Sequence, residues 1–201
     1  MSPNPYRIPK RFKRMDNKSG SFTSRDLALV AGMSALYLGY SYVSGVTLGH
    51  TIREIDLFFL ISAVFTILVS LTRKHWTATI LGTVTGLILV TTPGAPLAVT
   101  LALIPNGIVF DLTLRAGDHI FDNLSRKRFI VAGALGNLAM AVFGLAMLQA
   151  FGFFHGFGVS TLIVIWVTAL VGDTLVGALG ALFGMAVVRR LGERVRSPLI
   201  R

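Results

Sequence analysis

Thr91-Thr92-Pro93-Gly94-Ala95-Pro96 is the stretch on which the fold turns. It lies inside a nearly continuous apolar run from residue 77 to residue 114, which is one long helix or two according to what these six residues do. Two prolines around a glycine favour a tight turn, and each proline removes a backbone donor that a helix interior needs. The run therefore divides into 77–92 and 96–114, and the candidate membrane spans become six, the others being 27–46, 55–71, 129–151 and 159–188. A helix crosses the hydrocarbon layer with about 20 residues. The second and third spans are short, which implies tilt or local thinning, and the fifth and sixth are long enough to project beyond the membrane.

Composition leads to the same class. Of 201 residues, 53% are hydrophobic and 14% charged, against roughly 25% charged in an ordinary soluble domain. Mean hydropathy is +0.71. A soluble chain of this length has no core large enough to bury that much apolar surface. Disorder is excluded too, because charge is sparse and apolar content high. The absence of cysteine rules out disulfides, zinc-thiolate sites and iron–sulfur clusters.

A net charge of +10 would suit a nucleic-acid binder if it were spread over a surface, and it is not. Seven of the 19 Lys and Arg fall in the first 25 residues and five in the last 13. With the N-terminus inside, eighteen cations lie on inner segments and only Arg53 lies outside. Five or seven spans would move the C-terminal arginines outside and break this positive-inside bias. The expected fold is an all-α integral membrane protein of six transmembrane helices in the plasma membrane, with both termini cytoplasmic. Residues 1–26 form a basic N-terminal segment, 27–190 the membrane domain and 191–201 a basic tail. The N-terminal cations read as contacts to the anionic inner leaflet rather than to nucleic acid. The first span reads as retained rather than as a cleaved signal. Residues 116–127 are polar and suit a short interfacial helix.

Apart from Asp56 at the edge of span two, only two of the nine acids fall within spans, Asp111 and Asp173. Ionisable groups at membrane depth are costly and are functional candidates by default. By helical rise both lie roughly 20–25 Å from the outer end of their spans, with Asn137 at a similar depth. A shared polar layer follows, which either pins helices together or serves as a proton or cation site. The expected loop from Gly45 to Asp56 carries His50, Thr51, Arg53, Glu54 and Asp56, preceded by Tyr37, Tyr40 and Tyr42. Tyrosines here are interfacial anchors or pocket walls. Arg53 either closes a lid salt bridge or binds an anionic ligand group. Asn106, Gln149 and Trp166 occupy the outer or middle parts of their spans, and Pro105 is expected to kink span four beside Asn106. With Tyr40, His50, Arg53 and Glu54, these three make up the candidate small-molecule site.

Enzyme classes fail on inventory. There is no HExxH pair, no GxSxG elbow with a histidine in a span, and no paired-aspartate transferase pattern. A GxxxxGK[ST] loop is also missing, so ATP hydrolysis would have to come from another chain. No catalytic residue, metal site or cofactor is expected.

Six spans, both ends inside and a polar first outer loop resemble the substrate-binding S components of energy-coupling-factor (ECF) vitamin transporters. Ala31-Gly32-Met33-Ser34-Ala35 in span one is similar to that family's A-x-x-x-A patch, with Ala28 extending the stripe. The resemblance implies that Ala28, Ala31 and Ala35 touch a transmembrane coupling subunit. The residues alone leave open packing within the chain, which small-xxx-small spacing also serves. The turn at Thr92–Pro96, Pro105-Asn106-Gly107 and the acid at Asp111 look most like S components for thiamine precursors such as hydroxymethylpyrimidine. Asn106 and Asp111 stand where those carry a different amide and a glutamate. The resemblance implies a vitamin-like ligand captured from outside, a coupling subunit and two cytosolic ATPases. A stand-alone secondary transporter using Asp111 or Asp173, and a membrane scaffold, are the rival expectations.

Overall fold

Each helix buries one stripe and leaves another bare, and the stripes dictate how the chain folds back on itself. The computed structural model describes residues 21–47, 49–92, 97–115 and 125–196, with the backbone alone at 45–47, 49–54 and 192–196. The helices are α1 (Ser24–Thr47), α2 (Gly49–Thr72), α3 (Thr77–Val90), α4 (Leu97–Arg115), α5 (Arg126–Ala150) and α6 (Val159–Arg196). Among the described residues there is no strand. Five of the six are long and apolar enough to cross a membrane, and α3 is not. Its 14 residues rise roughly 21 Å, less than the ~30 Å of a hydrocarbon core.

The break at Thr91 is present. The Thr91 and Thr92 amides donate to Ile88 and Leu89 carbonyls, ending α3 at Val90. Residues 93–96 lie outside the described set, and α4 begins at Leu97. Pro105 sits inside α4, which continues through it as one helix. The polar loop expected from Gly45 to Asp56 is corrected: α1 runs to Thr47 and α2 starts at Gly49. His50, Arg53 and Glu54 thus stand on the opening turns of a helix. Most of the expected interfacial helix, 116–124, is outside the described residues. At the C-terminus α6 continues to Arg196.

Glycines set the spacing of neighbouring helices. A Cβ on Gly86 would lie 2.7 Å from the Thr100 carbonyl oxygen, and one on Gly107 2.5 Å from that of Ala78, so α3 and α4 run antiparallel with backbones nearly touching. Gly133 of α5 meets Gly177 of α6 in the same way, while Gly180 and Gly184 of α6 meet the Phe59 and Ala63 carbonyls of α2. Close approach of small residues lets dispersion contacts hold helices together where water offers no hydrophobic drive. Between these contacts lies a fully buried core of Ile61, Phe65, Leu68, Leu81, Leu103, Phe110 and Phe129. The Phe65 and Phe110 rings sit 5.4 Å apart, and those of Phe110 and Phe129 6.3 Å apart.

One end of the bundle holds Arg25, Arg73, Lys74, Arg115, Arg126 to Arg128, Arg189, Arg190, Arg194 and Arg196. Of the described cations only Arg53 lies at the other. At the cationic end, Thr23 and Asp26 cap α1 reciprocally, the Asp26 carboxylate accepting from the Thr23 amide (2.9 Å) and hydroxyl (2.6 Å). Lys74 from the α2–α3 turn pairs with Asp26 at 2.6 Å and lies over the Phe22 ring. That turn reverses the chain in four residues by placing Arg73 (φ 52°) and Trp76 (φ 65°) in the left-handed region. At the opposite end, Gly152 and Gly156 supply the same conformation for the α5–α6 turn. This turn buries Phe154 and exposes Phe151, Phe153 and Phe157.

Helix α1 is peripheral. Val30, Ser34, Tyr37, Ser41 and Ser44, spaced by fours and threes, form its buried stripe. Ala28, Ala31, Ala35 and Gly39 lie on the exposed side.

Candidate functional site

A cavity of about 590 Å³ opens in the half of the bundle away from the cations. Four helices build it. Ile55 and Phe58 come from the start of α2, Val99 and Ala102 from the start of α4, Met140 to Leu148 from the end of α5, and Val164 to Val176 from α6. The antiparallel α5–α6 pair touches closely at Gly133 and Gly177, and the cavity lies beyond that contact. Its size lies within the ~300–1,000 Å³ of typical ligand pockets. The walls are aliphatic and aromatic, and Thr168 and Asp173 bring the polar side chains. Asp173, half-buried, stands fourteen residues into α6, roughly 21 Å along its axis.

Next to the cavity lies a buried polar cluster. Asn137 Oδ1 accepts from Ser62 Oγ at 2.9 Å and from Asn106 Nδ2 at 3.1 Å, while Asn137 Nδ2 donates to the Phe58 carbonyl at 3.1 Å. Asn106 Nδ2 also lies 3.3 Å from Met140 Sδ. Because Phe58 and Met140 both line the cavity, the cluster fixes the α2 and α5 walls from behind. All three side chains are essentially fully buried, where a hydrogen-bonded amide is strongly held. Asn106 Oδ1 is buried without a hydrogen-bond partner among the described residues.

The residues singled out from sequence divide among several places. Asn106 reaches the back of the cavity through Met140. Gln149 is exposed just past Leu148, and Trp166 is half-buried on α6 without lining the cavity. Tyr40 donates to Asp56 Oδ2 at 2.9 Å, as Ser44 does at 2.6 Å, so this tyrosine clamps α1 to α2 beside Ile55 at the cavity edge. The side chains of His50, Arg53 and Glu54 lie outside the described residues. The three members of the expected polar layer take different positions: Asn137 is the hub of the buried cluster, Asp173 faces the cavity, and Asp111 is bound to the start of α3. Ala28, Ala31 and Ala35 are all exposed, and a Cβ on neighbouring Gly32 or Gly39 would meet nothing within 4 Å.

Asp111 Oδ2 accepts from the Thr79 amide and hydroxyl, both at 2.8 Å. A carboxylate from α4 thus supplies the N-terminal cap that α3 lacks, since Trp76 makes no side-chain cap of its own. Asp111→Ala is expected to destabilise the bundle by about 1–2 kcal/mol, read as a lower SDS fraction at half-unfolding, with ligand affinity unchanged. Lost affinity with normal stability would instead put Asp111 on the ligand path.

Ser62 is the site residue that sequence reasoning missed. It belongs to a series at four-residue spacing with Thr66 and Ser70, and those two bond back to their own helix carbonyls. Only Ser62 reaches across to another helix. Nothing in the spacing separates it from its neighbours.

Among the described residues no group of three His, Cys, Asp or Glu is placed to hold a metal ion. No family model, curated protein or solved structure matches the chain.

Proposed function

We propose that this chain is the non-catalytic, membrane-embedded capture subunit of an importer for a vitamin-like small molecule. The cavity carries this reading: it is ligand-sized and lies in the half of the bundle away from the cations. That charge separation supports both termini on the cytoplasmic side of the plasma membrane and the cavity on the outer side. Antiparallel packing of α3 on α4 supports a sixth crossing, made by a short helix and its flanking turns. The energy comes from elsewhere, since the sequence has no nucleotide-binding loop. In the ECF-type scheme that the sequence resembles, a transmembrane coupling subunit and two cytosolic ATPases supply it. The bare small-residue face of α1 is the surface offered to the coupling subunit. Asp173 in the cavity wall favours a second reading, a small proton- or cation-coupled transporter working alone.

A thermal-shift screen of the purified full chain against vitamins and their precursors tests the first reading. At least one compound is expected to raise the melting temperature by several degrees. Gly172→Phe is expected to remove that shift, because position 172 borders the cavity and has open space where a side chain would start. Proton-driven uptake by liposomes containing only this chain would establish the second reading. No shift with any compound would leave the scaffold role.

A further inference from the structure

We propose that the cavity is a slot for a flat ring, with Ala141 and Gly144 of α5 and Ala169 and Gly172 of α6 as the residues that set its width. This rests on the capture reading above and narrows it to a shape of ligand. Both pairs line the cavity, and each places its two small residues one turn apart on one face of its helix. Their heights match. Ala141 lies eight residues beyond Gly133, and Ala169 lies eight residues before Gly177. In an antiparallel pair both therefore stand roughly 12 Å from the contact between those glycines.

Small faces on neighbouring membrane helices let the two backbones close on each other. Gly133 and Gly177 do so: a Cβ on Gly133 would lie 2.5 Å from the Gly177 carbonyl oxygen. The pairs that line the cavity do not. Among the described residues, a Cβ on Gly172 would meet nothing within 4 Å, and one on Gly144 would touch only Ala98 and Ala102 of α4, at 3.9 Å. Two smooth helix faces thus stand apart across a cavity of about 590 Å³. A ring lying between them needs one van der Waals distance to each face, about 3.5–4 Å. Residues this small let it meet both helices over its whole area. A globular body of the same carbon content is thicker and would have to push α5 and α6 apart. Phe58 and Met140 line the same cavity, and an aromatic ring and a thioether both make favourable contacts with an aromatic ligand.

The test uses the full chain in nanodiscs and three alcohols with the same number of carbons: flat 1-naphthylmethanol, globular 1-adamantylmethanol and flexible 1-undecanol. Gly172→Phe in identical nanodiscs supplies the baseline for partition into lipid. Above that baseline the naphthyl probe is expected to bind about tenfold or more tighter than either of the others. Gly172→Val and Ala169→Val each narrow the slot by one side chain. Each is expected to weaken the naphthyl probe about tenfold while the melting temperature without ligand stays at the wild-type value. Equal affinity for the flat probe and either of the others overturns the proposal while leaving the cavity as a binding site. So does wild-type affinity for the naphthyl probe in both valine variants, which would seat the ring elsewhere in the cavity. Should none of the probes exceed the Gly172→Phe baseline, both this proposal and the cavity's role in capture are wrong.

Discussion

Gly177→Val is expected to force α5 and α6 apart and to cost the folded bundle about 2–6 kcal/mol. A Cβ at this position would fall onto the Gly133 carbonyl oxygen and lie 2.7 and 2.8 Å from Cβ and Cγ of Asn137. None of these atoms is the free end of a flexible side chain. Overpacking a tight contact costs about 1–3 kcal/mol, and here a second term adds to it. Asn137 holds Ser62, Asn106 and the Phe58 carbonyl, and moving it leaves buried polar groups unpaired at about 1–3 kcal/mol. Gly172→Ala on the same helix is the control. Its new methyl meets nothing within 4 Å, so it should leave stability unchanged or raise it by about 0.5–1 kcal/mol. SDS unfolding in mixed micelles reads both. If Gly177→Val unfolded at the wild-type SDS fraction, the close α5–α6 approach would be wrong.

The same glycines show what the sequence made legible. A run of Gly177, Gly180 and Gly184 announces close helix packing, but not against which neighbour. At 100° per residue, Gly177 and Gly180 point about 60° apart around the axis. Gly177 meets α5 and Gly180 meets α2, and so does Gly184, although it lies only about 20° around the axis from Gly177. Choosing those neighbours needs the arrangement of helices far apart in the chain, which local spacing does not contain. Helix existence and the break after span three depend on apolar runs and on prolines, which are local, and they were readable.

The site was less legible for a related reason. Its walls are ordinary Ile, Phe, Val, Ala and Leu from four helices, chemically the same as residues facing lipid. Charge draws attention to a residue, so Asp111 and Asp173 stood out alike, although one caps a helix and the other faces the cavity. Counting depth along α4 from its outer end placed Asp111 within the span. Nothing local to Asp111 indicates that the uncapped start of α3 lies against it. Arg53, Glu54 and His50 read as a loop because polar residues cluster there, yet the backbone at those positions is the start of α2.

Ala31→Trp or Ala35→Trp is expected to reduce ligand uptake to background while leaving ligand binding and stability as in the wild type. The second half of that expectation follows from the fold. Ala28, Ala31 and Ala35 are exposed, Leu27 and Leu36 beside them are 52% and 53% exposed, and Gly32 has open space around it. Substitutions on such a face change stability by no more than about 0.5 kcal/mol. The first half follows from small residues being useful only where another backbone comes close. Among the described residues none approaches this face; in the capture reading proposed above its close partner is the coupling subunit, and an indole ring would hold that subunit off. Ser34→Trp on the opposite side of α1 separates the two faces. Ser34 is buried and accepts from Thr85 at 3.2 Å, so this change should unfold the helix from the bundle and lower binding, uptake and stability together. Uptake in cells that also make the proposed coupling and ATPase subunits, set beside binding by the purified variants, separates the outcomes. Binding lost in Ala31→Trp would make the stripe part of the chain's own packing, whereas normal uptake would move the docking surface to another helix. Uptake alone lost would mean that capture and transfer use opposite sides of α1, because the stripe that faces inward clamps the ligand end through Tyr40, Ser44 and Asp56 while the small-residue stripe faces away.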